Sequence, residues 1–447
     1  MKLKQIILIS FIFAFVLRVV IASYYLNPKI EISGDIKKHR DWAIVTHNFG
    51  FDKTLSPKND SYGIPVNNQP FGTAYFYAGF YHIYGGILNV YSGMTGETFS
   101  QKETGTMFMF VIKLISISAD MVIGLFLYYI IRNETRNKKA AFIASCVFLF
   151  SPIALYNSAV WGQTDAINNS LFVGSLYLLY KNKPRYSVFL FLLSLLFKLS
   201  LLPVLPLYVF FHLIIIRKNI LGNFIFSALF GIITLFTFTL FISSNPIEWW
   251  ETYLIHNSQG ELPYISVYSF NFWWLLFQPK FLLDIPSSES VYLGLKLGYW
   301  GYLLFIILSV PVFIRIGTQK IKKNHYLKIV THTVFCIEFL MYLFLPRMHE
   351  RYLYPAVLMM TLFIALKGIT KKDFILLLLI TSINFINLYI VWHPIYIFPT
   401  LIEGLIAHWK VRLLLSGILV ASGMYYYIDL LRNNTYYSKQ NKNSITI

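Results

Sequence analysis

The sequence predicts an all-α polytopic membrane protein of about 12 transmembrane helices, with amphipathic helices in a long first outer loop. Three observations predict it. Hydrophobic residues make up 56% of the chain and charged residues 13%, about half the charged share of a soluble domain. Apolar runs near the roughly 20 residues that a bilayer demands recur along all 447 residues. Lys and Arg gather in short loops between those runs, the pattern of cytoplasmic loops under the positive-inside rule.

The elements follow in chain order. Lys2 and Lys4 precede the apolar run 5–26. Its length, and Arg18 within it, make it a retained anchor rather than a cleaved signal. Further spans are expected at 106–131, 140–158, 166–180, 187–198, 200–216, 221–243, 291–314, 328–345, 353–367, 373–391 and 411–431. Basic clusters at Arg132/Arg136/Lys138/Lys139, Lys181/Lys183/Arg185, Arg217/Lys218, Arg315/Lys320/Lys322/Lys323/Lys328 and Lys367/Lys371/Lys372 mark the inner loops. Arg432, Lys439 and Lys442 put the 432–447 tail inside as well, so both termini are cytoplasmic. Acidic residues do the reverse: Asp35, Asp41, Asp52, Asp60, Glu97, Glu103, Glu248, Glu251, Glu261, Asp284 and Glu289 fall in outer loops.

Residues 187–216 lie between two basic loops, so they cross twice in short segments or re-enter as a hairpin, with Lys198 near the outer turn. Outer segments are 27–105, 244–290 and 392–410. The first mixes Pro, Gly and aromatic runs, which suits short amphipathic helices on the surface. The second holds Trp249-Trp250 and Trp273-Trp274, and the third Pro394 and Pro399. Paired tryptophans suit a membrane interface. With no repeat and no soluble domain, residues 1–447 form a single integral membrane domain.

The net charge of +18 is spread through inner loops beside anionic lipid, which argues for membrane lipids as partners and against nucleic acid. Cys146 and Cys336 sit in apolar runs and read as small core residues without a disulfide. The sequons at Asn59 and Asn168 would be exposed. No Cys/His spacing suits a metal, no Gly-rich loop suits a nucleotide phosphate, and no Gly-x-Ser-x-Gly elbow occurs, so neither cofactor nor metal is expected.

Four constellations carry possible chemistry. Asp35, His39 and Trp42 follow Gly34 just past the first span; on a helix starting there, Asp35 and His39 share a face. Asp35 reads as a general base at the membrane boundary, or as a plain cap or loop carboxylate. Arg347-Met348-His349-Glu350-Arg351 is squeezed between two spans. Its Arg forks and imidazole suit a phosphate; the plainer reading is a snorkelling cluster. Trp161-Gly162-Gln163-Thr164-Asp165 puts an amide and a carboxylate beside a tight Gly turn, for a sugar hydroxyl or for capping the next helix. Lys198 between two short apolar halves is an anion ligand or a snorkelling residue. Asn271 is a weaker sugar-binding candidate and equally a helix-start residue. Lys113, Asp120, Lys296 and Glu338 fall inside expected spans and read as residues paired within the bundle.

Together these segments resemble the GT-C superfamily of membrane glycosyltransferases. Gly34-Asp35…His39…Trp42 looks like the first-loop motif of the dolichyl-phosphate-sugar-dependent glucosyl- and mannosyltransferases, in which the Asp is the catalytic base. Asn67-Asn68-Gln69-Pro70-Phe71-Gly72-Thr73-Ala74-Tyr75 is similar to the end of that loop, with one Pro where two are usual. Arg347-Met348-His349-Glu350-Arg351 is similar to a His-x-His-Glu-Lys-type segment that contacts donor phosphate, with Arg347 for the first His and Arg351 for the Lys. Trp161-Gly162-Gln163-Thr164-Asp165 and Phe197-Lys198 are similar to segments of bacterial members. The resemblance runs from the first span to about residue 355 and implies a GT-C-type bundle.

It implies an inverting transferase that moves a hexose, mannose or glucose, from a polyprenyl-phosphate-linked sugar donor to a hydroxyl of a glycan, lipid or protein acceptor on the outer face. Asp35 would take the hydroxyl proton. Arg347, His349, Arg351 and Lys198 would hold the donor phosphate. His39, Trp42, Trp161, Gln163, Asp165 and Asn271 would line the acceptor and sugar site. The Lys/Asn/Ile/Phe-rich composition points to an AT-rich bacterium and its plasma membrane. The rivals are a lipid-linked glycan flippase or transporter, which should show matching halves with mid-span charges, and a glycan polymerase, which should show a large Arg-rich outer loop.

Overall fold

A computed structural model describes residues 3–432, apart from 28, 56–66, 68, 216–219, 241–244, 246, 248–249, 251–261, 282–283, 319–325 and 394. Asp60, Glu248, Trp249, Glu251, Glu261, Lys320, Lys322, Lys323, Pro394, Lys439, Lys442 and the sequon at Asn59 lie outside the described residues.

The chain is helical nearly throughout and is a membrane protein by its long apolar helices. Among the described residues six helices are long and apolar enough to cross a bilayer: Leu3–Tyr24, Gln101–Thr135, Leu297–Thr318, Tyr326–Phe344, Lys371–Val391 and Trp409–Arg432. Lys138–Leu149 and Pro152–Trp161 make a seventh if taken as one bent span. Pro184–Phe197 and Leu199–Leu213 are apolar but shorter than a full crossing. Residues separate into two compact units, Met1–Ile123, Leu155–Leu202 and Ile215–Gly260 in the first, and Gly124–Ala154, Pro203–Ile214 and Glu261–Ile447 in the second.

In the first unit α1 (Leu3–Tyr24) carries Arg18 inward to Asp120 of α4 (Gln101–Thr135), a fully buried ion pair at 3.4 Å. Arg18 thus interrupts the apolar run with a partner waiting. The first outer loop holds two helices. α2 (Gly34–Phe49) starts where the Ser33 hydroxyl accepts from the Asp35 N–H, a normal N-cap. α3 (Phe71–Thr95) has 25 residues, longer than the short surface helices expected, and buries only its first turns. The Pro70-Phe71-Gly72-Thr73 stretch has a packing reason. A Cβ at Gly72 would lie 2.5 Å from the Leu196 carbonyl oxygen, and the Thr73 hydroxyl donates to the Phe197 carbonyl at 2.6 Å. So α3 crosses α8 (Pro184–Phe197) at backbone contact.

In the second unit Tyr326–Phe344 is buried at every residue but Lys328, and Tyr354–Leu366 of the following helix is buried throughout. Burial on nearly every side puts both helices in the middle of a bundle, although the first carries the buried His332 and Glu338. Among the described residues two short two-stranded sheets qualify the all-α expectation. β1 (Ser266–Val267) pairs in parallel with β4 (Met348–His349), and β2 (Val291–Tyr292) pairs antiparallel with β3 (Leu295–Lys296).

Four expectations need correction. The span expected at 291–314 begins only at Leu297, because residues 291–296 close a hairpin. Lys296 is therefore not inside the bundle; it is exposed and pairs with Glu289 at 2.8 Å. Trp273 and Trp274 are buried rather than interfacial: the Trp273 indole N–H finds the Phe344 carbonyl at 2.9 Å, which removes the cost of burying it. Asn168 and Asn169 are also buried, in the helix Asp165–Tyr180, not exposed.

Candidate functional site

The first unit gathers three of the four constellations. Asp35 lies in the first turn of α2 and is half-buried. Its Oδ2 accepts from the Trp161 indole N–H at 3.1 Å and from the Gln163 amide at 2.5 Å. Residues 126 and 128 positions apart in sequence thus meet on one carboxylate oxygen. The two donors orient the carboxylate. His39, one turn on, is buried with its ring 5.6 Å from Trp42 and 5.7 Å from Tyr77 of α3. Trp42 is buried as well.

The turn that supplies Trp161 and Gln163 is unusual. Lys138–Leu149 breaks before Pro152, and the chain resumes as a helix that widens to π geometry over Tyr156–Trp161, bent 47° from the preceding piece. Such widened turns recur at functional sites. It ends at Gly162, whose φ of +80° only glycine adopts readily. A Cβ there would meet Ile36 Cδ1 at 2.6 Å and Lys113 Cγ at 3.3 Å. The amides of Gly162 and Gln163 both donate to the Asn157 carbonyl, at 3.0 and 2.9 Å. Lys113 is buried and donates to the Val160 carbonyl at 2.9 Å, pinning the same turn from α4.

Lys198 points at Asp165, not outward. Its ammonium lies 2.5 Å from Asp165 Oδ1, and both side chains are more than nine-tenths buried. Asp165 Oδ2 accepts from the Asn157 amide at 3.3 Å. Lys198 sits in extended backbone between α8 and the 3-10 turn Leu199–Val204, which lets one side chain leave the apolar halves and reach inward. This buried pair supports the turn through Asn157, and gives Lys198 a partner other than the donor phosphate that the sequence suggested.

The fourth constellation lies in the second unit. Arg347 adopts φ +60° and is held by its backbone N–H on the Ile265 carbonyl, by Nε on Ser288 Oγ at 3.1 Å, and by Nη2 on Glu289 Oε1 at 3.2 Å. His349 pairs through its backbone with Val267, and its ring lies against Tyr352 at 5.2 Å. Its Nδ1 is 3.8 Å from the buried Glu350 carboxylate, which also takes Arg351 at 2.9 Å. Burial alone would raise the Glu350 carboxyl, but the adjacent His349 and Arg351 hold it below its usual value. Glu289 is also held low, by Lys296 first and Arg347 second.

Asn271 takes the plainer of its two readings. It is buried, caps Phe272–Phe277 by accepting from the Trp274 N–H, and donates to the Tyr342 carbonyl at 3.3 Å. Asn384 and Asn387, not singled out from sequence, do comparable work. Asn384 donates to the Glu350 carbonyl at 2.8 Å, and Asn387 to the Tyr268 carbonyl at 2.6 Å. Two amides one turn apart in the apolar run Lys371–Val391 were the available signal. Among the described residues no group of three or more His, Cys, Asp and Glu could hold a metal ion.

No protein-family model matches this chain, and no curated protein matches it.

Proposed function

We propose that this chain is an inverting glycosyltransferase of the GT-C type. It moves a hexose, mannose or glucose, from a polyprenyl phosphate to a hydroxyl acceptor at the outer face of a bacterial plasma membrane, with both termini inside. The observation that carries this reading is the Asp35 carboxylate. It is half-buried at the start of α2, aimed by Trp161 and Gln163 from a π-widened turn that a buried ion pair supports.

The chemistry balances without further reagents. The acceptor O–H gives its proton to Asp35 as its oxygen bonds to the anomeric carbon. The bond from that carbon to the phosphate oxygen breaks on the opposite face, which inverts the centre and releases polyprenyl phosphate. General-base help of this kind contributes about 10²–10⁴-fold. By residue type, Arg347, His349 and Arg351, which lie together in the second unit, suit a phosphate. Lys198 leaves the phosphate set and becomes a positioning residue, since its ammonium is committed to Asp165.

The test is transfer. Purified protein is given radiolabelled polyprenyl-phosphate mannose or glucose, with envelope lipid and glycan as acceptor. The reading expects label in the acceptor with inverted anomeric configuration. No transfer from either donor, with lipid-linked glycan crossing reconstituted vesicles instead, would replace it with a transporter.

A further inference from the structure

Residues 291–296, where the sequence suggested the start of a span, form a hairpin with an unusual tip. Val291, Leu293 and Leu295 are exposed at 70%, 78% and 43%, and Tyr292 at 48%. The strands join through Leu293 and Gly294, both at positive φ (49° and 81°). Two such residues in a two-residue loop mark a primed hairpin turn, whose first place normally goes to Asn, Asp or Gly. A leucine held left-handed is strained, because its Cβ crowds the following carbonyl. Here it gains little packing from the described residues. In water this tip is doubly unfavourable, strained and apolar.

Its surroundings suit a different solvent. The hairpin runs directly into the helix Leu297–Thr318, a candidate membrane span. That helix exposes Tyr299, Tyr302, Ile306, Ile307, Val310 and Ile314, an apolar helix face that follows the hairpin directly in the chain. The junction carries interfacial residues: Tyr292, Tyr299, Trp300 and Tyr302, with Lys296 over the Tyr299 ring at 6.0 Å. Trp and Tyr gather at headgroup depth, and lysine stems lie along apolar surface there. The Trp300 indole N–H covers the Tyr292 carbonyl at 2.7 Å.

We propose that the hairpin at 291–296 is an interfacial anchor that seats its tip in the headgroup–acyl boundary of the bilayer. It goes no deeper, because a two-stranded ribbon keeps unpaired edge groups that hydrocarbon would not satisfy. One consequence follows for Arg347. It is bonded to Ser288 and Glu289 at the hairpin's base, so the anchor holds that guanidinium at the depth of lipid phosphates. The anchor rests on the second unit alone and stands whether or not the chain transfers sugar.

The test is spin-label accessibility in vesicles of phosphatidylethanolamine and phosphatidylglycerol. A nitroxide is placed on Leu293→Cys and, separately, on Val291→Cys, with Cys146→Ala removing the half-buried native thiol. Lys371→Cys serves as an exposed reference. The anchor requires collisions with oxygen to exceed those with a water-soluble nickel chelate severalfold at both hairpin sites, and the reverse at the reference. Nickel dominance at position 293 would put the tip in water and overturn the proposal. Low accessibility to both reagents would overturn it too, in favour of a protein partner such as a second copy.

Discussion

Replacing Lys198 with methionine leaves Asp165 buried beside Asn157 with its counter-charge gone. Both side chains of the pair are more than nine-tenths buried and the ions are 2.5 Å apart, so water cannot take over. Removing one partner of such a pair costs about 3–5 kcal/mol. At about 2–4 °C per kcal/mol for a unit of 150–250 residues, the midpoint should fall by roughly 6–20 °C. Removing both charges, Asp165→Asn with Lys198→Met, leaves no orphan ion and should recover most of the loss. Tryptophan fluorescence reports the transition, since Trp161 of the same unit is buried until unfolding exposes it. A shift of less than about 2 °C in Lys198→Met, or a double variant no better than the single, would refute the buried pair and return Lys198 to the phosphate set.

Three further outcomes are expected. Arg18→Ala strands the fully buried Asp120 and should also cost about 3–5 kcal/mol, read by the same fluorescence, with Arg18→Ala/Asp120→Ala milder. Gly162→Ala forces an alanine to φ +80° against Ile36; it should lower transfer more than it lowers the melting midpoint, because the turn aims Trp161 and Gln163 at Asp35. Glu350 has a folded-state value held below its unfolded one, so its stabilising contribution is full above the unfolded value of about 4.3 and fades as pH falls through the folded value. Glu350→Gln should therefore be less stable than wild type at neutral pH, with the gap closing in acid; a gap that is the same at pH 7 and pH 3 would contradict the pairing.

Membrane character was the most legible property, because apolar run length and loop charge act locally and additively. The helix at Asp35 was legible too, since Ser33-Gly34-Asp35 is a start signal and His39 and Trp42 keep its period. That Asp35 meets Trp161 and Gln163 was not, because nothing local records a contact 126 residues away. Lys198 shows the same limit from the other side. A lone lysine in apolar sequence reads as an anion ligand until Asp165 is found 33 positions earlier. At 291–296 apolarity argued for a span, but Gly294 allowed a tight turn and the run became a hairpin. Tryptophan misled for a related reason: Trp273 was read as interfacial by type, while the Phe344 carbonyl that lets it be buried lies 71 positions away.

The central claim is that Asp35 is the general base, and substituting it with asparagine tests that most directly. Asp35→Asn keeps an oxygen to accept from Trp161 and Gln163 and removes only the ability to take a proton. Transfer from radiolabelled polyprenyl-phosphate hexose is measured beside wild type, with donor binding followed separately. The account requires a fall in kcat of about 10²–10⁴-fold with donor affinity retained. Equal turnover by the two proteins would remove Asp35 from the chemistry and contradict the account.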